Sequence, residues 1–188
     1  MSYQSIDFVP YLVYNLSYLM DSSSEQFSGI YDAYIEKIYR FVYLKVNSQE
    51  TAEDISSKVF LKGWEKFRDG GGNIEHIGSF LYQIARNMVI DHYRDRSRTK
   101  TVSPDAVPQI ADAKTDVHEG AALNADLQMV KNAIQNIKKE YQDVLILHYL
   151  EDMPTEQIAQ VMQKSPGSVR VMLHRGLKSL KNEVIKES

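Results

Sequence analysis

The chain has 188 residues, of which 43% are hydrophobic and 25% charged, and its formal net charge is −3. That length allows one or two small domains with packed cores, and the composition is ordinary for a globular protein. The absence of cysteine excludes disulfides and thiolate metal sites and fits a reducing compartment.

Residues 1–24 read as an appended N-terminal extension. Their apolar run, Phe8 to Met20, is interrupted by Pro10, Asn15 and Ser17, and is too short and polar to span a bilayer. The first basic residue is Lys37, so the early positive charge of a secretory leader is missing. From Phe27 the apolar positions Ile30, Tyr31, Tyr34, Ile35, Ile38, Phe41, Val42 and Val46 form a wide helical stripe. Asn47-Ser48 breaks that helix, and Ser48 can cap the next one. The second helix buries Ala52, Ile55, Val59, Phe60 and Trp64. It ends at RDGGGN, because three glycines are costly in a helix. A third helix over 77–98 turns Phe80, Leu81, Ile84, Ala85 and Met88 inward.

Periodicity then lapses. Residues 99–122 contain two prolines and scattered polar residues, which predicts a flexible linker. From Leu123 helical patterning returns and runs to the end. The expected architecture is all-α: two small helical domains, 25–98 and 123–188, moving independently on the linker.

Within the second domain, Ile158, Ala159, Val161 and Met162 give one short helix its inner face. Gln163-Lys164 makes a turn, Ser165 is a good N-cap, and Pro166 suits the first helical position. Val169, Leu173, Leu177 and Leu180 bury the following helix, leaving Ser168, Val171, Arg175 and Lys178 outside. The strip Lys164 to Lys181 holds five formal positive charges and no carboxylate. Two short helices, a tight turn and a basic outer face form the pattern of helix-turn-helix DNA binding. Arg and Lys neutralise phosphates there, and Arg can read guanine edges with two hydrogen bonds. Taken alone, the strip is explained about as well by the solvated face of an ordinary helix. Catalysis has little support. The five histidines show no HExxH spacing, and Asp91-His92 with Asp95 is a single short cluster. No catalytic residue, metal site or cofactor is expected.

The segment KKEYQDVLILHYLEDMPTEQIAQVMQKSPGSVRVMLHRGLKSLK resembles region 4 of bacterial sigma factors, in the extracytoplasmic-function (ECF) group of the sigma-70 family. Gly167, Ser168, Val169, Arg170, Leu173, His174 and Arg175 match that family's recognition helix. AEDISSKVFLKGWEKF and SFLYQIARNMVIDHYRDRSR are similar to region 2. The two matches occur in the family's order and together cover roughly Phe27 to Val184.

The resemblance implies a factor that makes and breaks no covalent bond and lends promoter specificity to RNA polymerase. Its implied −35 contacts are Ser168, Arg170, Val171, Met172, His174, Arg175 and Lys178. Its implied −10 contacts are Asn73, Phe80, Tyr82, Asn87 and Arg94. The polymerase clamp would meet Glu53, Asp54, Lys58, Phe60 and Leu61. Implied partners are core RNA polymerase, at its clamp and flap, promoter DNA, and an anti-sigma protein as a further candidate; no membrane is involved and the implied setting is cytoplasmic. The alternative is a helix-turn-helix regulator that acts without polymerase. Six positions, at four places, depart from the family pattern. Ser57-Lys58 stands for a frequent Gln-Glu, Phe80 for a Trp, Val171-Met172 for a Ser-Arg pair, and Gln163 for a Gly.

Overall fold

The computed structural model describes the backbone of residues 9–70, 74–100 and 132–187, and the side chains of 23–70, 74–98 and 132–186. Three helices come first: α1 (Val9–Val46), α2 (Gln49–Asp69) and α3 (Ile77–Lys100). After a helical segment at 132–136 come α4 (Lys139–Leu145), a π-helical turn (Ile146–Leu150), α5 (Thr155–Met162) and α6 (Pro166–Glu187). No strand occurs among the described residues. None of their helices is long and apolar enough to cross a membrane.

Local signals set the helix ends. Asn47 adopts a left-handed backbone (φ 52°) and stops α1. Ser48 is extended, and its hydroxyl accepts from the Thr51 amide at 3.3 Å to cap α2. Lys66 and Arg68 lie in the last turn of α2, where positive charge suits the helix dipole. No break separates the expected extension from the first domain, because α1 runs unbroken from Val9. The expected linker lies outside the described residues, apart from its first two positions at the end of α3.

The first core joins Ile38, Phe41 and Val42 of α1 to Ala52, Val59 and Phe67 of α2 and to Leu81, Ala85 and Val89 of α3. Gly63 brings α2 close to α3, since a Cβ there would sit 2.7 Å from Leu81 Cδ2. The same apolar cluster continues into the second half, where it gathers Val144, Leu145, Ile146 and Leu147 with Ile158, Val161, Val169 and Leu173.

The turn between α5 and α6 explains one departure from the family pattern. Gln163 is left-handed (φ 53°), and the Lys164 and Gln163 amides bond back to the carbonyls of Ala159 (3.0 Å) and Gln160 (3.2 Å). This is a Schellman closure, whose left-handed position favours glycine. A non-glycine residue costs about 1–2 kcal/mol in this conformation, partly offset by the larger unfolded-state freedom of glycine. Gln163→Gly is therefore expected to stabilise the chain by about 0.5–1 kcal/mol, read as a higher Tm. An unchanged or lower Tm would contradict this account of the turn.

Beyond the turn, the Ser165 hydroxyl accepts from the Ser168 amide at 3.2 Å and caps α6 as expected. The buried stripe of α6 differs from expectation. Leu177 is exposed (42%). Gly176 faces inward instead, where a Cβ would meet Tyr141 and Leu145 at 3.3 Å. The inner positions 169, 172, 173 and 176 keep helical spacing, shifted slightly round the axis from the expected set.

The two halves do not stand apart: α3 packs against α5, and polar side chains from α1 and α3 cross to α4 and Glu151. The expectation of independent domains rested on the composition of the linker, which carries no information about how the surfaces at its two ends fit.

Candidate nucleic-acid interface

Ser168, Val171, Arg175 and Lys178 form one exposed stripe along α6. An open groove beside it is lined by Tyr141, Lys164, Ser168, Val171 and Arg175. Arg170 and His174 are exposed on the adjoining face. Arg170 is not a free cation, because its guanidinium lies 3.3 Å from Glu156 of α5, fourteen positions earlier. Met172 is a correction: it is buried (8%) in the apolar cluster, where its position on the inner stripe puts it. Met172 reaches only the floor of the groove, and Val171 is the exposed apolar side chain of the Val171-Met172 pair.

The face of α3 expected to meet the −10 element is mixed. Asn87 and Arg94 are exposed, and Arg94 pairs with Asp91 at 2.8 Å. Arg96 and Arg98 extend the basic surface beyond the expected set, and their clustering in RDRSR was a visible signal. Burial, then Arg96 and Lys139, hold the neighbouring His92 below its usual pKa. Phe80 is half-buried in the first turn of α3. Asn73 lies outside the described residues. Tyr82 is a second correction, being 1% exposed, with its ring edge-on to Phe41 at 5.4 Å. Burial first, then the Glu151 carboxylate, raise its pKa. The hydroxyl closes no hydrogen bond of ordinary geometry. The helical pattern could not foresee this, because the carboxylate comes from the other half of the chain.

On α2, Glu53, Asp54, Lys58 and Leu61 are exposed. Lys58 Nζ lies 2.6 Å from Asp54 Oδ2, so the reversed charge at 58 is matched one turn back. Phe60 is a third correction. It is 4% exposed and packs edge-on to Tyr31 at 4.8 Å, so it supports this face from beneath. A groove lined by Tyr31, Ile35, Glu36, Tyr39 and Glu53 runs alongside. Burial, then Glu53 and Tyr43, raise the pKa of Tyr39 there.

A further charged cluster joins the halves. The Asp143 carboxylate of α4 takes Lys45 Nζ of α1 on one oxygen and Arg86 Nε of α3, at 2.9 Å, on the other. Glu151 receives both sides of the Arg40 guanidinium, at 2.9 and 3.0 Å. Burial holds the Lys45 pKa below its usual value, against the pull of Asp143. The signal was faint but present: Lys45 lies at helical spacing from buried Phe41 and Val42, and Asp143 heads the apolar run VLIL.

Residues 30–99 match the family model for Sigma-70 region 2, and residues 127–180 that for Sigma-70 region 4. The chain is 23% identical over 157 residues to the ECF RNA polymerase sigma factor BldN of Streptomyces coelicolor, covering 84% of this chain and 60% of that relative. It is 25% identical over 169 residues to the ECF RNA polymerase sigma factor SigW of Bacillus subtilis, covering 85% and 89%. Among solved structures, the fold is similar to the sigma factor RpoE of Bartonella quintana, in complex with the anti-sigma factor NepR. That similarity has a TM-score of 0.69 at 21% identity over 86% of this chain and 98% of that one. CnrH, in complex with the cytosolic domain of CnrY, gives 0.66 at 14% identity, over 90% and 96%.

Proposed function

The chain belongs to the sigma-70 family, and from that premise we propose that it is an ECF sigma factor that directs core RNA polymerase to promoters. The observation that carries this reading is the pair of region matches in family order, each holding an exposed surface of the required chemistry. The chain spans 60% of the length of BldN and 89% of SigW, both ECF RNA polymerase sigma factors.

The roles divide by chemistry. The first half meets the polymerase clamp through Glu53, Asp54, Lys58 and Leu61. It holds the unpaired −10 strand with Phe80, Asn87 and Arg94. An asparagine amide offers a donor and an acceptor to a base edge, and an aromatic face offers stacking. The second half lays α6 in the −35 major groove. Arg175 reads bases or phosphate, Ser168 and Val171 supply neutral contacts, and Lys178 clamps phosphate. His174 and Arg170 border that surface. The folds of RpoE and CnrH were solved with an anti-sigma factor and with the cytosolic domain of CnrY; an inhibitor of the same kind is proposed as a partner of this chain.

Co-elution with core polymerase separates this reading from a regulator that binds duplex DNA alone. The chain is expected to elute with core polymerase at micromolar concentration. Leu61, 58% exposed on the clamp-facing helix, is the apolar anchor of that contact. Leu61→Asp is expected to weaken the complex by about tenfold or more, as loss of an interface anchor does. Duplex binding without any complex would favour the regulator instead.

A further inference from the structure

The groove between α1 and α2 has a chemistry that the clamp residues alone do not explain. On the α1 side it is lined by Tyr31 and Tyr39, about two turns apart, and by Glu36. On the α2 side it is lined by Glu53 and Ser56. Its volume of about 390 Å³ lies within the range of about 300–1,000 Å³ that buries whole small ligands. The aromatic walls are braced from behind. Tyr39 stacks on Tyr43 at 5.8 Å, and Tyr31 packs edge-on to Phe60 at 4.8 Å while staying 43% exposed. Walls already fixed in this way lose little freedom when something binds between them.

The charge in the groove is of one sign. Among the described residues no lysine or arginine lines it. The cations nearest in sequence are engaged elsewhere: Lys58 Nζ lies 2.6 Å from Asp54 Oδ2, and Lys37 Nζ lies over the Tyr34 ring, 5.6 Å from its centroid. Glu53 receives the neutral Gln49 amide at 2.9 Å on one oxygen. Glu36 has no ion pair among the described residues and is exposed. Ser56 adds a second, independent sign. It is 2% exposed, and its hydroxyl has no hydrogen-bond partner. A helical serine can bond the carbonyl one turn back, as the neighbouring Ser57 hydroxyl does by donating to the Glu53 carbonyl at 2.9 Å. Ser56 does not, and a buried hydroxyl left unmet is unfavourable until a partner arrives.

We propose that this groove receives an arginine side chain of core polymerase, as a charged anchor beside the clamp contact. This rests on the sigma-factor reading above. A planar guanidinium lies flat against an aromatic face and carries five N–H donors, enough for both carboxylates and the Ser56 hydroxyl. A lysine ammonium has three donors and no plane to stack, so the walls favour arginine. Continuity of surface favours polymerase as its source. Glu53 belongs both to the groove and to the clamp face, and Leu61 lies eight residues further along α2, about 12 Å away. The face then joins an apolar anchor to a charged one. Tyr31, Glu36, Tyr39 and Ser56 all lie outside the set that the family resemblance implies for the clamp.

The test measures binding of the full chain to core polymerase by fluorescence anisotropy, with Tm recorded for each variant. Glu36→Arg changes an exposed position on which no ion pair depends, and is expected to weaken the complex about tenfold or more at unchanged Tm. Ser56→Ala is expected to weaken it about fivefold while leaving Tm unchanged or higher, because it removes an unmet hydroxyl. A photocrosslinking residue in place of Glu36 is expected to attach to a polymerase segment that contains an arginine. Changing that arginine to alanine is expected to remove the effect of Glu36→Gln. Binding unaffected by Glu36→Arg, or a crosslink to a segment without a basic residue, would overturn the groove while the wild-type complex still upheld the sigma-factor reading. Ser56→Ala that lowers Tm and leaves binding unchanged would overturn the role of Ser56. A wild-type chain that core polymerase ignores would contradict the sigma-factor reading, and this inference with it.

Discussion

Arg175→Ala is expected to weaken binding of the polymerase complex to its preferred −35 duplex by about 1–3 kcal/mol, roughly five- to 150-fold. Arg175 is exposed on the same stripe as Ser168, Val171 and Lys178, and no ion pair ties it among the described residues. Its guanidinium can therefore make two hydrogen bonds to a guanine edge without first giving up a partner. Arg170 differs, because it must leave Glu156. Its release costs little, since exposed pairs are worth about 0–1 kcal/mol, but that cost is subtracted from any contact with DNA. Arg170→Ala should thus cost less than Arg175→Ala. Lys178→Ala should weaken all sequences alike and lower the slope of log affinity against log salt by about 0.9. Titrations on several −35 duplexes at several salt concentrations check all three. Equal, sequence-blind losses would mean that the stripe only holds the phosphate backbone.

Phe80→Ala is expected to slow promoter opening by a comparable factor while leaving closed-duplex binding nearly unchanged. Base stacking on an aromatic ring is worth about 1–3 kcal/mol, and extruding a base costs a few kcal/mol that such contacts must offset. Phe80 is half-buried in the first turn of α3. Its ring therefore has a face to give. A premelted −10 bubble should restore most of the lost rate, because the extrusion cost is already met. Failure of the bubble to rescue, with a lowered Tm, would make Phe80 a packing residue.

Much of the architecture was legible because it is local. Ser48 and Ser165 cap the helices they were expected to cap, and the apolar stripes at 3.6-residue spacing fall where the cores are. Gln163 marked a turn position whose left-handed backbone explains why the family favours glycine there. What escaped depends on long-range packing. Val171 and Met172 are adjacent and both apolar, yet Met172 is buried and Val171 exposed. Their order on the helix decides this, and a one-position rotation of the stripe, with Gly176 taking the place of Leu177, shifted the boundary. Phe60 carries a family position, but the apolar stripe of its helix had already placed it inward; Tyr82 escaped, being covered by Phe41 and the other half. Arg170 looked free because no carboxylate lies in its strip; Glu156 comes from the preceding helix. The Asp143 cluster depends on contacts across 57 and 98 positions, beyond the reach of any periodicity.

Run-off transcription with purified core polymerase on a broad promoter library measures whether this chain gives the polymerase its promoter specificity. Adding the full chain is expected to yield discrete transcripts from a subset of templates sharing −10 and −35 elements, and Arg175→Ala to relax that subset. Folded chain and active core that together give no transcript above core alone on any template would contradict it.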